Sequence, residues 1–110
     1  MAKYAIFFTY TPDAWASMIK NPSDRSAQGA AVAKAVGGEL ETFYWMLGGH
    51  DGLAIADVPD TVSAAAISVA INSTGNFSSV ATHELLDADG RAALTEKAKT
   101  VLSGYTPPSG

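Results

Sequence analysis

Between Lys3 and Tyr10 the chain is apolar on both parities: Tyr4, Ile6, Phe8 and Tyr10 on one side, Ala5, Phe7 and Thr9 on the other. A strand with two apolar faces is expected in the middle of a sheet, covered on both sides. Thr11-Pro12-Asp13 then breaks the strand and opens a helix, with Thr11 as cap, Pro12 at the first position and Asp13 favourable to the dipole. Trp15, Met18 and Ile19 follow at helical spacing. Asn21-Pro22 interrupts this helix and offers a second cap and start. An alanine-rich helix runs on to Val36, where Gly37-Gly38 forms a left-handed stop.

A second strand is predicted over Gly38 to Leu47, in which Leu40, Thr42, Tyr44 and Met46 alternate with Glu41, Phe43, Trp45 and Leu47. Gly48-Gly49 turns the chain, and Asp51 to Val58 returns as a third strand. Pro59-Asp60 closes it and caps a helix in which Val62, Ala66 and Val69 share a face with Ala65 and Ala70. Small residues on that face predict either a close approach to the sheet or a pocket. Asn72 to Asn76 ends the helix, Phe77 to Leu86 makes a fourth strand, and Asp87 to Gly90 is a turn. Arg91 to Leu102 is a last helix with Leu94, Ala98, Val101 and Leu102 on one face, and 104–110 is a tail.

The order β-α-β-β-α-β plus a C-terminal helix defines an α+β fold, the ferredoxin-like split βαβ arrangement with an antiparallel four-stranded sheet, in a single domain over 1–103. Such a sheet carries helices on one face only. Because its strands are apolar on both faces, the expected second cover is another copy's sheet, giving a dimeric α/β-barrel.

Composition narrows the partners. The 110 residues carry a net charge of −4 with no cluster of lysine or arginine, which argues against nucleic acid and anionic membranes. Charged residues make up only 16%, in keeping with a surface partly covered by a second subunit. Without cysteine there are no disulfides, thiolate metal sites or cysteine nucleophiles. The N-terminal apolar run is too short for a signal peptide, and no stretch reaches the roughly 18 apolar residues of a membrane span. A cytoplasmic homodimer or higher homo-oligomer is the expectation.

The hairpin resembles that of the GYD-domain proteins, small members of the dimeric α/β-barrel group. Their signature is an aromatic strand, then glycine, tyrosine and aspartate at the turn, and an apolar strand ending in an acidic residue before Pro-Asp. Tyr44, Gly48, Asp51, Ala54, Ile55, Asp57, Pro59 and Asp60 fall in step with it, and Gly75-Asn76 is similar to the Gly-Asn before the family's last strand. Here His50 stands at the signature's tyrosine, and Ser79-Val80-Ala81 replaces a threonine-rich strand start. The resemblance implies a fold rather than an activity, because related barrels include monooxygenases, isomerases and ligand-binding domains.

Candidate chemistry is sparse. His50-Asp51 is a possible acid-base pair, since imidazole is the side chain suited to proton transfer near neutrality. Adjacent strand residues point to opposite faces, however, and an aspartate at a turn commonly bonds backbone amides instead. His83, followed by Glu84, shares a predicted face with Phe77, Ala81 and Leu85 and is the other catalytic candidate. Tyr10, Trp15, Tyr44 and Trp45 are candidates for lining a pocket for a flat organic ligand, or for core and interface packing. Trp15 stands out because a broken helix beside a sheet makes a natural pocket mouth. Histidine spacing supports no metal site, and no nucleotide or nucleophile motif is present, so no metal or cofactor is expected.

Two functions remain in view. One is a homo-oligomer that binds a small apolar or aromatic ligand, with cofactor-independent acid-base chemistry open to it. The alternative is a non-enzymatic assembly or ligand-sensing module. A cavity of a few hundred cubic ångströms lined by Trp15, Tyr44 or a histidine favours the first, a filled core the second.

Overall fold

The computed structural model describes residues 1–109. The elements are β1 (Ala2–Tyr10), α1 (Pro12–Lys20), α2 (Arg25–Ala35), β2 (Glu39–Trp45), β3 (Gly52–Val58), α3 (Thr61–Asn72), β4 (Phe77–Leu85) and α4 (Ala88–Gly104). The sheet is antiparallel and four-stranded in the order β2-β3-β1-β4, the ferredoxin-like split βαβ topology. β1 is central, as its two apolar faces demand.

The helices start and stop for local reasons. Thr11 accepts from the Ala14 amide at 3.1 Å with Pro12 in the first turn, and Asp60 accepts from the Ser63 amide at 2.8 Å. At the end of α2 the amide of Gly37 (φ +80°) donates to Lys34 at 3.0 Å and that of Gly38 to Ala33 at 2.9 Å. That is the Schellman pattern expected of a left-handed glycine stop.

Tyr4, Ile6, Phe8 and Tyr10 of β1 face the helices and form the core with Ala54, Ala56 and Val58 of β3, Ala33 of α2 and Ala64 and Ile67 of α3. Gly52 is required by packing: a Cβ there would lie 2.2 Å from Cζ of Phe8, whose ring crosses the strand. The other sheet face carries Ala5, Phe7, Leu53, Ile55 and Ala81, and only Ala5 among them is buried. At its edge Lys3 pairs with Glu41 and, at 3.3 Å, with Asp57, so the three strands β1, β3 and β2 are tied by charge.

Several expectations are corrected. α3 buries Ala64 and Ile67, while Val62 (78% exposed) and Val69 (70%) point outward, opposite to the predicted face. Apolar residues lie on both the buried and the exposed side, so periodicity does not choose between them, and contact with β4 decides it. The second helix begins after Asp24, whose carboxylate accepts from the amides of Ser26 and Ala27, rather than at Asn21-Pro22. Ile19, expected on the apolar stripe of α1, is 77% exposed. The hairpin turn is a loop over 46–51 with a single positive φ at Gly48, longer than the Gly48-Gly49 turn predicted. Asp87 caps α4 by accepting from the Gly90 amide at 2.8 Å, so the predicted turn over Asp87 to Gly90 belongs to the cap and first turn of the helix. That helix also takes in Gly104, and the last residue of the expected tail, Gly110, lies outside the described residues.

α4 is the anomaly of the fold. None of its described residues is buried, and the molecule measures 60 × 33 × 23 Å. Its radius of gyration is 17.7 Å, against about 13 Å for a compact chain of this length. The helix therefore stands away from the sheet-and-helix layer.

Candidate functional site

Between the helix-facing side of the sheet and α1, α2 and α3 lies a cavity of about 390 Å³. Its floor is Ile6, Phe8 and Tyr10 of β1 with Phe43, Ala54 and Phe77 from the other three strands; Met18, Val32, Ile67 and Ile71 close it from the helices. The cavity exists because the sequence places small residues, Ala14, Gly29 and Ala54, where three helices meet the sheet. A Cβ on Gly29 would only just touch Phe43, at 3.5 Å.

Polar groups enter at few points: Arg25, Gln28, Ser17, Thr74, Asn76 and the Tyr10 hydroxyl. Arg25 is half-buried, and its Nε donates to the Tyr10 hydroxyl oxygen at 3.4 Å. No aspartate, glutamate, lysine or histidine is among the lining residues described.

At one end of this cavity three of the four ligand-site candidates meet. Tyr10, Trp15 and Trp45 form a triangle with ring centroids 5.7, 5.6 and 6.0 Å apart. Of these only Tyr10 lines the cavity itself, where its ring stacks on Phe77 at 4.7 Å. Tyr44 is separate from them: it pairs with Leu53 on the opposite sheet face and is 62% exposed.

Asp51 holds the triangle in place. One oxygen, Oδ2, accepts from the Tyr10 amide at 2.8 Å and from the Trp15 indole at 2.9 Å. Its own backbone continues the ladder, the amide donating to Phe8 and the carbonyl accepting from Met46, both at 2.9 Å. The carboxylate thus joins the hairpin loop to the end of β1 and to α1. It bonds a backbone amide, as a turn aspartate does, but an amide 41 positions away in the chain.

His50 and Asp51 diverge. The His50 Nδ1 lies 3.3 Å from the Thr9 hydroxyl, and its ring sits 5.3 Å from that of Phe7 on the open face. Among the described residues no hydrogen bond joins His50 to Asp51. His83 also reaches Phe7, at 5.8 Å and edge-on, so the two histidines flank one phenylalanine although β1 lies between their strands. His83 is exposed, and it does not share a face with Phe77 as predicted. The β1–β4 register shifts between Thr9 and Tyr10, turning Phe77 to the helix side while His83 stays on the open side.

Lys3 and Tyr4, outside the cavity, have perturbed titrations. The hydrogen bond to Glu41, opposed by burial and helped by Asp57, pushes the Lys3 ammonium up. At Tyr4 the Thr61 hydroxyl draws the phenol down, but Glu84, whose Oε1 accepts a hydrogen bond from it at 2.8 Å, and burial outweigh it, so the phenol is raised.

Of the lining residues the sequence singled out only Tyr10; those it missed include Arg25, Phe8, Phe43 and Phe77. The three phenylalanines lie in predicted strands with nothing to set them apart, and Arg25 sits in a polar stretch beside the Asn21-Pro22 break. The one available signal was that break, since a chain leaving its helix beside a sheet opens a mouth. Among the described residues no three histidine, aspartate or glutamate side chains converge on a metal-sized site, and no helix is long and apolar enough to cross a membrane. Residues 4–94, from β1 into α4, match the family model described as GYD domain. A search of curated proteins finds no match.

Proposed function

The chain belongs to the GYD domain family, and we propose that it holds a small, mainly apolar or aromatic ligand between its sheet and helices, within a homo-oligomer of the α/β-barrel type. The observation that carries the reading is the cavity of about 390 Å³, within the roughly 300–1,000 Å³ usual for small-molecule sites. Its walls are apolar and aromatic, with a few convergent polar groups at the edge, which is the makeup of a binding site. Tyr10 is the lining residue shared with the sequence-based candidates, while Trp15 and Trp45 back it.

Binding is favoured over catalysis in that cavity. Its described lining residues include no histidine, aspartate, glutamate or lysine, the side chains that most often move protons in catalysis. His50 and His83 lie beside Phe7 on the open face, so acid-base chemistry by these side chains would take place there and not in the cavity.

The assembly half of the proposal rests on other observations. Ala5, Phe7, Leu53, Ile55 and Ala81 form an apolar sheet face without a helix over it. On α4, Leu94 (47% exposed), Val101 (67%) and Leu102 (70%) are apolar and uncovered. A second copy of this chain supplies matching apolar surface for both, which supports a closed symmetric dimer. In this family member the assembly and the ligand site occupy opposite sheet faces.

The test is native mass spectrometry of protein purified from cells, with and without Val32→Phe. Val32 lines the cavity, so the larger ring is expected to expel a retained ligand while leaving the fold intact. Equal retention by both proteins would place the ligand elsewhere. Light scattering on the same samples is expected to give a dimer or larger species; a monomer at micromolar concentration removes the assembly reading.

A further inference from the structure

We infer that the ligand of this cavity is an acid, an aromatic or branched apolar body bearing one carboxylate that is gripped by Arg25. This rests on the cavity reading proposed above and specifies the ligand class.

Arg25 is the only cation among the described lining residues, and no aspartate or glutamate lines the cavity with it. Among the described residues the cations in ion pairs are Lys3 and Lys99, and no carboxylate forms an ion pair with the Arg25 guanidinium. Asp24, its neighbour in sequence, is engaged in capping α2 through Ser26 and Ala27. Arg25 uses Nε on the Tyr10 hydroxyl, and its two Nη groups donate to no acceptor among the described residues.

That contact orients the fork. With Nε held at the cavity rim, the Nη donors remain for a planar anion, and a carboxylate is the partner whose geometry matches them. The apolar part of the ligand then lies against Phe8, Phe43 and Phe77, where rings meet at tilted or edge-on angles. A dianion is less suited, because a single arginine meets it. A neutral apolar molecule leaves the guanidinium without a counter-charge. The overall charge of −4 makes this local choice of a cation more pointed, since nothing in the bulk composition supplies it.

The experiment is titration of the full-length protein with 2-naphthoate and with its neutral isostere 2-naphthamide, read by calorimetry and by fluorescence of Trp15 and Trp45. The wild type is expected to bind the acid about tenfold tighter than the amide, the lower end for a charge-assisted hydrogen bond at a site open to water. Arg25→Gln should abolish the preference, so that acid and amide bind equally, and Arg25→Lys should keep part of it. A thermal melt confirms that each variant is folded. Equal binding of acid and amide by the wild type overturns this inference but leaves the cavity reading standing. Binding of neither probe, or binding that Val32→Phe does not alter, overturns the cavity reading and this inference with it.

Discussion

Replacing Asp51 by alanine removes one oxygen that two donors share. The Tyr10 amide belongs to a residue only 7% exposed, so it is left as an unpaired buried donor, at about 1–3 kcal/mol. The Trp15 indole is half-buried and can partly turn to water, which limits its loss to about 1 kcal/mol. The sum is about 3 kcal/mol, or roughly 10–20 °C in the unfolding midpoint of a domain of this size. Asp51→Asn keeps a carbonyl oxygen in place and loses only the charge assistance, so about 1 kcal/mol is expected. The assay is urea unfolding followed by far-ultraviolet circular dichroism, at fixed protomer concentration because assembly shifts apparent stability. A cycle with Trp15→Phe isolates the indole bond, and a coupling of about 1 kcal/mol is expected. If Asp51→Ala stays within about 0.5 kcal/mol of wild type, the range of an ordinary surface change, Asp51 does not anchor the hairpin to β1 and α1.

Gly52→Ala should destabilise by about 1–3 kcal/mol in the same assay, because its methyl group would occupy the position of the Phe8 ring edge; a neutral result would show that the ring moves freely. The caps make stability pH-dependent. Asp24 is held below its ordinary value by the Ser26 hydroxyl and the Ala27 amide, and Asp60 by the Ser63 amide and hydroxyl. Their unfolded forms therefore take up protons first, and the stabilisation is full above the ordinary carboxylate range and lost as pH falls through the lower folded values. Asp60→Asn keeps a cap that does not titrate, so its stability should fall less steeply between about pH 5 and pH 2; an unchanged slope refutes the assignment. If the proposed dimer forms through α4, Leu94→Glu on its uncovered face should sediment as a monomer in analytical ultracentrifugation where the wild type sediments as a dimer, with the circular dichroism spectrum retained.

The candidate site was legible in pieces. Asp51 announced itself beside the glycines of the hairpin, and Trp15 beside a helix break, but their bond joins residues 36 positions apart. No periodicity encodes such a pair. His50 and His83 were visible as the two imidazoles of the chain, yet their common neighbour Phe7 emerges only once β3 and β4 flank β1. Phe77 was placed on the wrong face because alternation assumes an unbroken register, and the irregularity near Thr9 and Tyr10 breaks it. The face of α3 differs from expectation for another reason: Val62 and Val69 on its exposed side are as apolar as Ala64 and Ile67 on its buried one, so the pattern does not choose between them.

What the sequence determined by itself is everything with a local or periodic cause. The order of elements, the central place of β1, the caps at Thr11 and Asp60 and the stop at Gly37 all follow from dihedral preference, side-chain alternation and donors within a few residues. The tertiary structure alone decided how surfaces meet. It left a cavity where Ala14, Gly29 and Ala54 come together, turned Arg25 towards it without a counter-ion, and set α4 apart from the layer. These depend on the distances between residues remote in sequence, and packing settles those distances only when the whole sheet has formed.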